Sequence, residues 1–135
     1  MNTGELLDGY KAGERDFRRA DLAEAKLRCT DLQKADLREA DLSEADLTET
    51  DLSQAKLHSA NLCGANLTRV NLSGAHLTGA NLVGANLYKA NLRGASLSQA
   101  DLGGARLKGA KVCRFQLKKA KSLEGATMPD GTLHP

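Results

Sequence analysis

Carboxylates are the most numerous groups here that could do chemistry. Asp31, Asp36, Asp41, Asp46 and Asp51 follow one another at five-residue steps, and Glu24, Glu39, Glu44 and Glu49 lie among them. Two neighbouring acids can serve as general acid and general base. They do so only in a pocket that pushes their pKa values apart. His58 and His76 could ligate a metal, as could Cys29, Cys63 and Cys113. The cysteines are widely spaced, odd in number and form no CxxC pair, so neither a disulfide framework nor a zinc signature is written. They read as free thiols of a reducing compartment. Whether any of these groups meet depends on the element that carries them.

That element has an unusual period. From Phe17 in steps of five, Leu stands at every stop from Leu22 to Leu107, followed by Val112 and Leu117. On an α-helix five steps turn the side chain by about 140°, scattering the leucines round the cylinder. On a flat strand five steps reverse the face each time. Only a chain that bends the same way between successive leucines can point them all at one axis. A coil with a hydrophobic centre results.

The unit is A(D/N)LXX. Ala and Leu are two apart, so in a short extended piece both face inward. Asp or Asn lies between them, points outward and favours the turn through its side-chain bonds to nearby backbone. The Ala column is broken within the array at Thr30, Thr50 and Val70, which are 20 residues apart. Four units per circuit would stack these three on one wall. Gly64, Gly74, Gly79, Gly84, Gly94, Gly104 and Gly109 fill the last unit position late in the chain, where Glu stands earlier. Glycine admits positive φ cheaply, so type II turns are expected to be commoner after residue 60.

The repeat A(D/N)LXX over roughly residues 15–121 resembles the pentapeptide repeat family. The opening LLDGYKAGERDF and the ending LEGATMPDGTLHP resemble its cyanobacterial members. The resemblance implies an all-β fold, a right-handed quadrilateral β-helix, here of about five coils. Residues 1–14 are expected to form an N-terminal cap, with a short helix over Asn2–Gly13. Residues 15–121 would form the β-helix, and 122–135 an irregular C-terminal tail. Phe115 takes a slot filled by Ala elsewhere, so the regular coil should end or widen there.

A filled coil has no pocket, and the acids fall on its convex face. Catalytic, cofactor-binding and metal-binding residues are therefore all expected to be none, and the protein is not expected to be an enzyme. Lys56 would stack beneath His76 and repel a cation. No apolar run reaches the length of a membrane span, and the N-terminus has no secretory pattern, so a cytoplasmic location is expected. Residues 1–55 hold 14 acidic and 8 basic side chains, while residues 56–135 hold 3 acidic and 11 basic. One end should be acidic and the other basic. Arg18, Arg38 and His58 would share an outward column, and Arg69 and Lys89 another. Arg106, Lys108, Lys111, Arg114, Lys118, Lys119 and Lys121 enrich the basic end. Tyr88 is the one aromatic on that surface, too little for single-strand stacking, so a nucleic-acid partner is not expected.

These features suit a rigid rod that binds an unidentified protein partner. The resemblance implies an alternative, since some family members mimic B-DNA and bind DNA gyrase. Duplex DNA carries about one charge per 1.7 Å of axis, whereas this chain is acidic only over its first coils. Self-association is a third reading, either head-to-tail between opposite charges or as a homodimer through the C-terminal coil near Phe115.

Overall fold

A computed structural model describes residues Met1–Pro135. From Asp16 to Lys111 the backbone forms parallel bridges at a constant 20-residue offset. One such ladder runs Asp31, Asp51, Asn71, Asn91, Lys111. One circuit is thus four pentapeptides. The repeat Leu N–H groups from Leu22 to Leu92, and again at Leu102 and Leu107, donate to the carbonyl of the circuit that follows, as Leu67 does to Asn86 at 2.7 Å. From Asp36 onward each Asp or Asn before a repeat Leu donates its N–H to the circuit before, as Asn66 does to Ala45 at 2.9 Å.

Every unit closes with a turn in which the N–H three residues after Leu returns to the Leu carbonyl, for example Ala25 to Leu22 at 3.0 Å. The second residue after Leu has positive φ at all such positions from Arg19 to Gly109, whether it is Glu49 (56°) or Gly84 (68°). Positive φ confined to that place marks a type II turn. The expected contrast between the two halves is therefore absent. The circuit needs the same corner at every fifth residue, so the fold imposes the left-handed conformation and the residue type only changes its cost. A Cβ at Gly84 would meet nothing within 4 Å. Gly84→Ala should then report backbone strain alone, destabilising by about 1–2 kcal/mol in a denaturant titration. Glu49→Gly should shift stability the other way by a smaller amount, because glycine loses more entropy on folding.

The leucines and, from Ala35 onward, the alanines are buried in one continuous core. Thr50 is fully buried on the wall shared with Thr30 and Val70. Its hydroxyl donates to the Leu27 carbonyl at 2.6 Å, and the Thr30 hydroxyl donates to the same oxygen at 2.7 Å. A buried hydroxyl is tolerated because it is paired.

Both ends of the coil are covered. Helix α1, Thr3–Lys11, is capped by Asn2, whose side chain accepts from Glu5 N at 2.8 Å. Leu6 on α1 enters the core with no exposure, and Leu7 and Tyr10 pack beside it. The Tyr10 hydroxyl donates to the Gln33 carbonyl at 2.9 Å, and the Arg15 guanidinium lies 3.6 Å over the Tyr10 ring.

At the other end, helix α2, Arg114–Lys118, interrupts the coil where Phe115 breaks the Ala column. Phe115 is 78% exposed on it. Gln116 compensates for the missing backbone ladder. Its Nε2 donates to the carbonyls of Leu92 (2.6 Å) and Ala95 (2.9 Å), and its Oε1 accepts from Cys113 N at 2.8 Å.

The chain after residue 121 is not irregular. Bridges Asp101–Ser122 and Arg106–Thr127 continue the coil at an offset of 21. One extra residue at α2 shifts the register, and the unit resumes with Leu123 and Met128 at Leu positions and Ala126 fully buried. The last residues fold back antiparallel, with His134 N donating to Ala126 O at 2.8 Å and Gly125 N to His134 O at 2.9 Å. That hairpin occupies an edge otherwise open to pairing with another chain.

Candidate functional site

With the interior filled, function must reside on the outer walls. Their chemistry follows from one local device. All fourteen Asp and Asn residues that directly precede a repeat Leu or Phe place Oδ1 on the backbone N–H two residues ahead. Examples are Asp46 to Thr48 (3.1 Å), Asn66 to Thr68 (3.1 Å) and Asn91 to Arg93 (3.1 Å). This turn uses only one of the two terminal atoms. The other atom sets the surface. From Asp16 to Asp51 it is a carboxylate oxygen, and from Asn61 to Asn91 it is an amide donor. The Asp-to-Asn change therefore leaves the corner intact and converts the outer face from acceptor to donor. The expected turn role of Asp and Asn is thus seen in both halves; which terminal atom is left over for the surface was not part of that expectation.

Several of these carboxyls are held below their usual range. Arg18 does this for Asp16 through paired bonds of 2.9 Å, lowering its pKa to about 2. The Arg38 guanidinium lowers Asp36, the Ser43 hydroxyl lowers Asp41, and the Thr48 hydroxyl lowers Asp46. A carboxyl whose folded pKa lies below its unfolded value, about 3.9 for Asp, adds stability above that value. The contribution is lost as pH falls through the folded pKa. Thermal melts should accordingly weaken as pH drops below about 4. Asp46→Asn keeps the turn oxygen, so it should fold normally and flatten part of that dependence.

His58 and His76 do come together, their rings stacked 5.4 Å apart and tilted by 11°. Lys56 bridges to His76 in the neighbouring circuit, as the repeat predicts. Burial and then the charge of His76 push the His58 pKa down, and His58 Nδ1 has no hydrogen-bond partner. The fold thus favours neutral His58, and its contribution fades as pH falls below about 6.5. No group of three or more His, Cys, Asp or Glu side chains could hold a metal ion. The three cysteines are free and apart.

Arg18 and Arg38 lie on one column, and each is paired with the Asp two residues before it. Arg19 pairs more loosely with Glu39 at 3.4 Å. These are the three ion pairs of the molecule, all in its acidic half. Arg69 and Lys89 stand on another column, in a shallow groove with Asn71, Asn91, Gly109 and Lys111. Tyr88 is half-buried beside them, its ring centroid 5.4 Å from Lys89 Nζ and 6.0 Å from Arg69 Cζ.

The family model described as pentapeptide repeats matches residues 16–54, 55–94 and 71–109. The chain belongs to the pentapeptide repeat family. That membership implies that the 20-residue coil is a right-handed quadrilateral β-helix.

Among solved structures, the pentapeptide repeat protein Rfr23 of the cyanobacterium Cyanothece 51142 is 30% identical, with a TM-score of 0.76. The alignment covers 98% of this pentapeptide repeat chain and 100% of that one. HetL of the cyanobacterium Nostoc sp. strain PCC 7120, involved in heterocyst differentiation regulation, is also 30% identical. It aligns over 99% and 100% of the two chains with a TM-score of 0.37. QnrB1, a plasmid-mediated fluoroquinolone resistance protein, is 23% identical over 78% of this chain and 56% of its own, with a TM-score of 0.63. The likeness to QnrB1 is one of fold. Comparison with curated proteins gives no match.

Proposed function

We propose that this pentapeptide repeat protein is a non-catalytic rigid rod that binds a protein partner through its outer walls. The observation that carries this reading is the filled interior. Leucines from Leu22 to Leu107 are almost wholly buried against one another, leaving no internal cleft for a substrate. Pentapeptide repeat proteins are typically structural or interaction modules. The depressions on the surface are shallow, and one of them is lined wholly by the charged side chains of Asp16, Arg18, Arg19, Arg38 and Glu39. Its three separate thiols suit a reducing cytoplasm. Neither helix is long and apolar enough to cross a membrane. A gyrase-binding DNA mimic would need carboxylates along the whole shaft, and here no acid occurs between Asp51 and Asp101.

The test is capture from lysate of the source organism, read by mass spectrometry. The control changes Glu39, Glu44, Glu49, Arg69 and Lys89 to Ser and keeps the leucine columns. A partner held by the native chain and lost by the control supports the reading. Enrichment of gyrase subunits would favour mimicry instead. Sedimentation of the chain alone addresses self-association: a salt-insensitive dimer lost on Phe115→Ser would establish a C-terminal contact.

A further inference from the structure

One corner of the coil, in its C-terminal half, carries cations and, between Asn66 and Lys111, no acid. The bridges Asn66–Asn86–Arg106 and Asn71–Asn91–Lys111 define the two walls that meet there. Arg69, Lys89, Arg93, Arg106, Lys108 and Lys111 all lie on these walls and are exposed. None takes part in an ion pair, because the three pairs present involve Arg18, Arg19 and Arg38. The asparagines between them spend Oδ1 on the backbone, Asn66, Asn86, Asn71 and Asn91 alike. Only their amide donors remain for a partner. Between Asn66 and Lys111 the corner is therefore rich in positive charge and donors and carries no carboxylate; Asp130, over Gly109 in the following circuit, closes it at the C-terminal end.

Its extent is limited. One circuit below, the same corner bears Asp46, Glu49 and Asp51, aligned through the bridges Asp46–Asn66 and Asp51–Asn71. The cationic zone spans two circuit spacings, about 10 Å. A long polyanion of uniform charge, such as a nucleic-acid duplex laid along the shaft, would run onto those carboxylates and be repelled. A few extended residues cover about 10 Å. Tyr88 beside Arg69 and Lys89 adds apolar area at the centre of the patch, as interface anchors do.

We propose that this corner is the docking surface for a short acidic segment of a partner protein, read by Arg69, Lys89, Arg93 and Lys111 with Tyr88 at its centre. The proposal rests on the interaction-rod reading and names its partner class. Charge order along the corner gives polarity. The acidic stretch faces the C-terminal circuits, and what flanks it over Glu49 must not be acidic.

The test uses the full chain and two fluorescent probes, a peptide of three glutamates flanked by serines and a short random-sequence DNA duplex, read by anisotropy at about 50 mM and 200 mM salt. The patch variant is Arg69→Gln, Lys89→Gln, Arg93→Gln and Lys111→Gln. The control removes the same charge elsewhere, with Lys56→Gln, Arg114→Gln, Lys118→Gln and Lys119→Gln. Matching thermal melts show that both fold. Expected is peptide binding that weakens with salt, falls about tenfold or more in the patch variant as several exposed pairs are lost together, and persists in the control. Equal loss in both variants, or no peptide binding at the lower salt, overturns the corner assignment. Tighter binding of the duplex than of the peptide overturns the acidic-protein class. If the corner fails while lysate capture still yields a partner, the interaction-rod reading stands by itself. If capture yields nothing, that reading fails on its own account.

Discussion

Leu67→Asp is expected to abolish the cooperative thermal transition rather than merely lower its midpoint. Leu67 has no exposure and sits mid-shaft, with circuits on both sides of it. The substitution removes an aliphatic side chain whose truncation alone would cost about 2–5 kcal/mol. It also places a carboxyl where no donor is available, and an unpaired buried polar group costs several kcal/mol more. In a stack where each repeat is supported only by its neighbours, the two flanking segments lose their coupling. Leu67→Ala separates the two causes. It should unfold cooperatively at a lower temperature, while the Asp variant should show either no transition or two broad ones by circular dichroism. An Asp variant that melts like the parent would refute the inward assignment of the leucine column.

Leu6→Asp should leave the coil able to form yet cause it to associate and precipitate. Leu6 is the fully buried residue of α1 and fixes the helix over the first circuit. Beneath α1, the N–H groups of Asp16, Asp21, Lys26 and Asp31 have no preceding circuit to accept them, and Phe17, Leu22 and Leu27 form the core just above. Displacing the helix would expose a parallel sheet edge together with apolar side chains, a template for pairing with other chains. Light scattering and size-exclusion chromatography should show large species that the parent lacks. Tyr10→Phe is a milder companion. It removes the hydroxyl bond to Gln33 but keeps the ring under Arg15, so it should cost about 1 kcal/mol without aggregation. A monodisperse Leu6→Asp protein would show that α1 is dispensable as a cap.

Most of the fold was legible in the residues. A leucine at every fifth position excludes straight helices and strands on geometry alone, and the exceptions Thr30, Thr50 and Val70 carried the circuit length. The N-terminal helix was signalled by Asn2, Glu5 and Gly13. At the other end a signal was present but out of step. Ser122-Leu123-Glu124-Gly125-Ala126 repeats the unit, displaced by the one residue that α2 inserts. A search tied to the earlier register passes over it. Turn type was misjudged for a different reason. Propensity ranks Gly above Glu at positive φ, but the circuit closes only if every corner is alike, so tertiary geometry overrides local preference.

The candidate surface divides in the same way. Sequence alone determined the repeat, the inward leucines and the split between acidic and basic halves, because each is a property of spacing or count along the chain. Tertiary structure alone decided which cations share a corner, that Arg18 and Arg38 are neutralised while Arg69 and Lys89 are not, and that Asn exposes its amide rather than its oxygen. The shared corner depends on the stacking of residues one circuit apart, the neutralised arginines on bonds to the Asp two residues before them, and the exposed amide on a turn that presents a backbone N–H to the Asn oxygen. Each needs the closed coil or its corner, so spacing and count along the chain do not show it.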